Sequence, residues 1–121
     1  MNSSKIFIVG ANGQLGTALR LNYPNARSAD ISELDITNRD SVDNFDWSNI
    51  DIIINAAAFT NVDGAEADEG RVAAWNVNAV AVANLARVAR ENDMTVVHVS
   101  SDYVFDGTKG PHLETESFSP L

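Results

Sequence analysis

The sequence predicts an α/β fold, a parallel sheet of about four strands with helices on both faces. Three observations carry this reading. Four short strand-like runs, at 5–9, 27–30, 51–55 and 95–100, alternate with helical segments, the pattern of successive βαβ units. Three of these runs are apolar nearly throughout, as strands covered on both faces should be. The first runs straight into a glycine-rich turn and then into a helical pattern.

That first junction is Ile6-Phe7-Ile8-Val9-Gly10-Ala11-Asn12-Gly13-Gln14-Leu15-Gly16, after which Leu15, Ala18, Leu19 and Leu21 recur at helical spacing. Strand, tight turn and helix is the setting in which a dinucleotide pyrophosphate is held. The turn requires a residue without Cβ at Gly10. Gly13 lets the backbone approach the phosphates, and Gly16 lets helix pack on strand. The helix N-terminus offers unpaired N–H groups and a partial positive charge to the anion. Asn12, Gln14 and Leu15 sit within the same turn. The GxxGxxG spacing is the one found in short-chain dehydrogenase/reductases. An ordinary strand–helix connection is the plainer alternative, and the flanking context favours the cofactor, making the sheet Rossmann-type.

The remaining elements follow in order. The first helix covers about 14–22 and stops before Pro24. A short second strand over Arg27–Asp30 leads into a loop with Leu34-Asp35-Ile36-Thr37. Asn38 or Thr37 can cap a short helix through Val42 and Phe45, with Asp40 and Asp43 near its positive end. Asp51–Asn55 is a third buried strand, closed by three alanines. One long helix over about 66–91 carries an apolar stripe through Val72, Trp75, Val77, Leu85 and Val88. Thr95–Ser100 is the fourth strand, and the chain from Ser101 onward is loop-like. Right-handed crossovers place the strands in spatial order 3-2-1-4. This is about half of a doubly wound fold, a truncated half in which an apolar fourth strand lies at an edge. Self-association, a homodimer at its simplest, is expected from that exposed edge.

Composition narrows the function. The 121 residues carry a net charge of −9, with eight Lys and Arg, which argues against nucleic acid as a partner. No apolar run is long enough to span a membrane, and Met1-Asn2-Ser3-Ser4-Lys5 does not read as a secretion signal. The absence of cysteine removes disulfides and thiolate chemistry. A single cytoplasmic dinucleotide-binding domain over 1–121 is the simplest reading.

Several residues could carry chemistry. Asp30 lies about 20 residues beyond the glycine turn, where an acid accepts hydrogen bonds from the adenosine ribose; a plain surface acid is the equal alternative. Asp35 and Ile36 are a second candidate for the adenine end. No arginine follows Asp30, which leans toward NAD, yet Arg27 and Arg39 lie close enough in sequence to leave NADH or NADPH open. The small side chains from Asn55 to Ala58 let a cofactor lie across the strand ends. Ser101 could donate to a substrate carbonyl and polarise it for hydride attack, or simply cap the loop. His98, Trp47 and Trp75 read as packing residues. The acidic run at 63–69 reads as a solvated helix start, not a metal site.

Together, Gly10–Gly16, Leu34–Thr37, Asn55-Ala56-Ala57-Ala58-Phe59-Thr60-Asn61-Val62-Asp63 and Ser101-Asp102-Tyr103-Val104-Phe105-Asp106-Gly107 closely resemble the dTDP-4-dehydrorhamnose reductase family of extended short-chain dehydrogenase/reductases. The resemblance spans nearly the whole chain and keeps its order. It implies reduction of the 4-keto group of dTDP-4-dehydro-L-rhamnose by NADH or NADPH. It also implies that Gly13, Gln14 and Leu15 meet the pyrophosphate and Asp35 and Ile36 the adenine side. Ala57, Ala58, Phe59, Thr60 and Val99 would lie along the nicotinamide half, and Val62, Ser101 and Asp102 would face the dTDP-sugar. Serine at 101 stands where the family more often has threonine, which keeps the hydroxyl.

The family's Tyr-x-x-x-Lys proton donor has no match: Tyr23 is followed four residues on by Arg27, and Tyr103 by Gly107. The chain thus reads as the cofactor half of a reductase, inactive by itself. Two other classes share the fold: a regulatory subunit of the methionine adenosyltransferase β type, and a nucleotide-sugar epimerase or dehydratase. A Tyr-x-x-x-Lys segment downstream separates the enzymes from the regulator, and the Ser-Asp-Tyr-Val-Phe-Asp-Gly stretch favours the reductase.

Overall fold

β1, Ile6–Val9, lies at the heart of the sheet with all four residues buried. Alternation along a strand sends its side chains to opposite faces. Phe7 and Val9 join a large core with Leu34, Val42, Trp47, Ala81, Leu85 and Val88, while Ile6 and Ile8 join Ile54 and Leu19 on the other side. A strand apolar at every position therefore anchors two layers, each buried aliphatic side chain contributing about 1.5–3 kcal/mol. The computed structural model describes residues 2–120.

α1, Gln14–Asn22, covers the Ile6/Ile8 face and follows the expected range. β2, Arg27–Ala29, is short and pairs in parallel with β1. α2, Arg39–Asp43, is a little over one turn long, and the Asn38 side chain accepts the Ser41 N–H at its start. The opposite face is closed by Phe7, Phe45 and Trp47 in edge-to-face contact, ring centroids 4.8 to 5.2 Å apart. Trp47 is a packing residue, its Nε1–H donating to the Val42 carbonyl at 2.9 Å.

β3, Ile52–Asn55, and β4, Thr95–His98, complete a four-stranded parallel sheet in the order β2-β1-β3-β4. This differs from the expected 3-2-1-4. β2 has two exposed residues and one buried, so it suits an edge, whereas the Ile52-Ile53-Ile54 run is apolar on both faces and takes an interior place beside β1. After β2 the chain therefore crosses back over β1 instead of building outward.

The single long helix expected over 66–91 is segmented. A 3-10 turn at Asp63–Glu66 precedes α3, Asp68–Trp75, then a π-helical stretch, Asn76–Val80, and α4, Ala81–Glu91. Only α4 contributes buried side chains: Ala81, Leu85, Val88 and Ala89. Trp75, expected to pack, is instead 67% exposed on α3, because α3 has left the sheet face that α4 covers. His98, expected to be buried, is also exposed, since β4 is an edge strand and no strand pairs with its outer side among the described residues.

Beyond a 3-10 turn at Asp102–Val104, the chain folds on itself. Phe105 stacks on His112 with centroids 3.7 Å apart, and Glu116 accepts from both Lys109 and His112. No helix among the described residues is long and apolar enough to cross a membrane.

Candidate functional site

All four strands run parallel, so the loops that follow them gather at one edge of the sheet, where open α/β folds bind ligands. The glycine turn sits there. Gly10 has φ +76°, and a Cβ on it would lie 2.6 Å from the Ala57 nitrogen in the neighbouring loop. At Gly16 a Cβ would come within 2.0 Å of the Gly10 carbonyl oxygen, so α1 rests directly on the turn. Gly13 differs: a Cβ there would meet only the Gly10 oxygen, at an ordinary 3.4 Å. Gly10 and Gly16 are required by the fold, whereas Gly13 leaves open space over the start of α1. Gly13 also caps α1 without a side-chain acceptor, leaving first-turn N–H groups free to meet an anion. These residues fit a dinucleotide pyrophosphate.

On one side of the turn is a cleft of about 320 Å³ lined by Gly10, Gly13, Asp30, Asp35, Ile36, Ala57 and Ala58 together with Ile31, Leu34 and Thr37. Asp30 lines this cleft and does two jobs at once. Its Oδ2 accepts the Asn12 N–H at 2.9 Å, tying β2 to the glycine turn, and its Oδ1 accepts the Ile31 N–H at 2.8 Å. Each carboxylate oxygen keeps a lone pair for a ligand hydroxyl. Glu33 accepts the Asp30 N–H, and that bond is the main cause holding the Glu33 carboxyl below its ordinary range. Asp35 accepts both the N–H and the hydroxyl of Thr37.

On the other side lies a cleft of about 670 Å³ lined by Leu15, Ala57, Ala58, Phe59, Thr60, Val62, Val99, Ser101 and Asp102, with Tyr103 and His98. Residues drawn from positions 15 to 103 thus converge on one surface. Ala56–Ala58 form the ridge shared by both clefts. Asn12, Gln14 and Gly16 line neither: Asn12 binds Asp30, Gln14 is exposed at the start of α1, and Gly16 is buried beneath the turn. The Ser101 hydroxyl accepts the Tyr103 N–H at 3.2 Å and lies 3.3 Å from Asp102 Oδ1, to which it donates. It caps the loop and still faces the cleft.

Sequence reasoning missed the asparagines that hold these loops. Asn55, 1% exposed at the end of β3, accepts the Ala57 N–H and pairs with His98 Nδ1. Asn78, in the π-helical stretch, accepts the Phe59 N–H at 2.8 Å and donates to the Phe59 carbonyl at 3.0 Å. Asn84 on α4 donates to the Ile36 carbonyl. For Asn78 and Asn84 the available signal was an asparagine with poor helix propensity recurring inside a helical pattern, which indicates a side chain bonded elsewhere.

The RmlD substrate binding domain family model matches residues 4–121. The chain belongs to that family. It is 44% identical over 125 residues to a dTDP-4-dehydrorhamnose reductase of Aggregatibacter actinomycetemcomitans, covering 98% of this chain and 42% of that protein. A dTDP-4-keto-6-deoxy-D-glucose reductase of Streptomyces niveus is 40% identical over 121 residues, covering 94% of this chain and 41% of that one. A crystal structure of the dTDP-4-dehydrorhamnose reductase of Bacillus anthracis in complex with NADP matches with a TM-score of 0.85 at 35% identity, over 95% of this chain and 43% of that chain. The chain therefore spans about two-fifths of the length of these relatives. The sheet they share with it is Rossmann-type.

Proposed function

We propose that this family member is the cofactor-holding part of an NADH- or NADPH-dependent reductase acting on the 4-keto group of dTDP-4-dehydro-L-rhamnose. The observation that carries the reading is the open cradle at Gly13, set over free N–H groups between two clefts that meet at Ala56–Ala58. In it the adenosine lies along Asp30, Asp35 and Ile36, and the pyrophosphate lies on Gly13, Gln14 and Leu15. The nicotinamide then lies against Ala58, Phe59, Thr60 and Val99. The bound cofactor supplies a hydride. Ser101 donates its hydroxyl hydrogen to the sugar carbonyl oxygen as charge develops there, with Val62 and Asp102 beside the sugar nucleotide. The 121 residues hold no Tyr-x-x-x-Lys pair, so binding is assigned to them and turnover to the longer protein. Residues 1–121 act as one dinucleotide-binding domain of a cytoplasmic enzyme, and the β4 edge is where copies associate. The Streptomyces niveus relative supports a second reading, a reductase of another dTDP-4-keto-6-deoxyhexose.

The test is NADH or NADPH consumption by the full-length protein, offered dTDP-4-dehydro-L-rhamnose and the D-configured 4-keto sugar. Consumption with the first, lowered on the order of 10²-fold by Ser101→Ala, supports the proposal. Consumption with neither sugar overturns it.

A further inference from the structure

We infer that His98 is a positioning residue for the dinucleotide: as a neutral imidazole with a bare Nδ1, it fixes Asn55 and, through Asn55, the backbone of Ala57 over which the cofactor passes. The inference rests on the cofactor reading proposed above and adds to that site a residue that acts through another.

The β3–β4 ladder sets Asn55 opposite His98, each the last residue of its strand. Beyond β3 the sheet holds one more amide, the Ala56 N–H, which donates to the Val9 carbonyl at 3.0 Å. The next, Ala57, has passed the end of the ladder and donates to the Asn55 side-chain Oδ1 at 3.1 Å, as in an Asx turn. Ala57 is where the parts of the site meet. It lines both clefts, and its nitrogen lies so close to the glycine turn that a Cβ on Gly10 would stand 2.6 Å away. A shift of this one backbone group therefore disturbs the ridge between the clefts and the glycine turn together.

The direction of each bond in this chain follows from the one before. A backbone N–H can only donate, so the Asn55 oxygen faces Ala57 and the Asn55 NH2 group faces His98. That NH2 group donates, so the ring nitrogen 3.1 Å away, Nδ1, must accept and carries no hydrogen. The proton of the neutral ring therefore sits on Nε2. Asn55 is 1% exposed, and no buried side-chain polar atom among the described residues lacks a partner. Without Nδ1, Asn55 would hold an unpaired buried donor. Turning its amide over to relieve that would set the NH2 group against the Ala57 N–H. The His98 ring lies in the lining of the larger cleft with Ala74, Asn78 and Asp102. It is exposed on an edge strand, so packing does not explain a histidine here, whereas the need for an acceptor does.

Nitrogen NMR of the imidazole and calorimetric titration with NADH, both on the 121-residue chain, are the test. The wild-type ring should show a proton on Nε2 and none on Nδ1. Asn55→Asp, which offers Nδ1 an acceptor in place of a donor, should move a proton onto Nδ1. His98→Phe keeps a flat ring without the acceptor and should weaken NADH binding about fivefold or more. His98→Asn, whose amide oxygen can stand near the Nδ1 position, should restore binding to within about twofold of wild type. Arg39→Ala, beside a separate cavity lined by Trp47 and Arg87, should leave NADH binding unchanged. A wild-type proton on Nδ1, or full NADH binding by His98→Phe, overturns the inference and leaves the cofactor reading standing. So does a loss of equal size in His98→Asn or Arg39→Ala. No NADH binding by the folded wild-type chain overturns both. Should a variant not fold, the wild-type proton position still decides.

Discussion

At the residue scale, three glycines at equal spacing have unequal duties. Gly16 has no room for a methyl group, which would sit 2.0 Å from a backbone oxygen, and Gly10 combines a left-handed φ with the close approach of Ala57. Gly13 has an ordinary extended backbone and an open side, with φ −68° and ψ 170°. Gly16→Ala should therefore cost on the order of 2–4 kcal/mol of stability, read from urea unfolding, because α1 must lift from the turn. Gly13→Ala should leave the unfolding midpoint nearly unchanged while weakening dinucleotide binding at least about tenfold, because the methyl group enters the space over the helix N-terminus. A matched loss of stability in both variants would contradict this division. Asp30 shows why its role was undecidable from sequence. The structural and the ligand-facing uses belong to the same carboxylate, and one-dimensional spacing cannot separate them.

At the element scale, the π-helical stretch matters more than the helices it joins. By inserting Asn76–Val80 between α3 and α4, the chain presents Asn78 to both backbone polar groups of Phe59. Asn78→Ala should cost about 1 kcal/mol and speed amide hydrogen exchange at Phe59 and its neighbours, with β1 unaffected. The loop beyond the 3-10 turn makes a separate prediction. Hydrogen bonds from Lys109 first, then His112, hold the Glu116 carboxyl below the ordinary carboxylate range. A carboxyl lowered by folding contributes stability that is present above its unfolded pKa. That contribution is lost as pH falls from the ordinary carboxylate range through the lowered folded value. Acidification through this range should loosen residues 105–118, seen as collapse of the Phe105 ring shifts caused by the stacked His112. Glu116→Gln should show the loosened loop at neutral pH.

At the scale of the whole molecule, the legible features were the local ones. β1, the glycine turn and α1 could be read because apolar alternation, glycine placement and helical spacing each depend on neighbouring residues. Strand order could not, because whether the chain passes outward of β2 or back over β1 depends on which strand gains more by burial. Ile52-Ile53-Ile54 outbids Arg27-Ser28-Ala29 for the interior. Trp75 and His98 were misjudged for a related reason: burial depends on what covers a face, and among the described residues neither α3 nor the β4 edge is covered. That edge, with Val97 and Val99 about half exposed, should draw copies together. Sedimentation at rising concentration should show a dimer, and a strictly monomeric mass would count against it. The central claim is that one carboxyl edge, built by loops far apart in sequence, holds a dinucleotide. Its most direct test is an amide-resolved NMR titration of the chain with NADH. The account predicts shifts concentrated at Gly10–Leu15, Asp30–Thr37, Ala56–Thr60 and Val99. Shifts confined to the cavity beside Arg39 and Trp47, or none at saturating NADH, would contradict it.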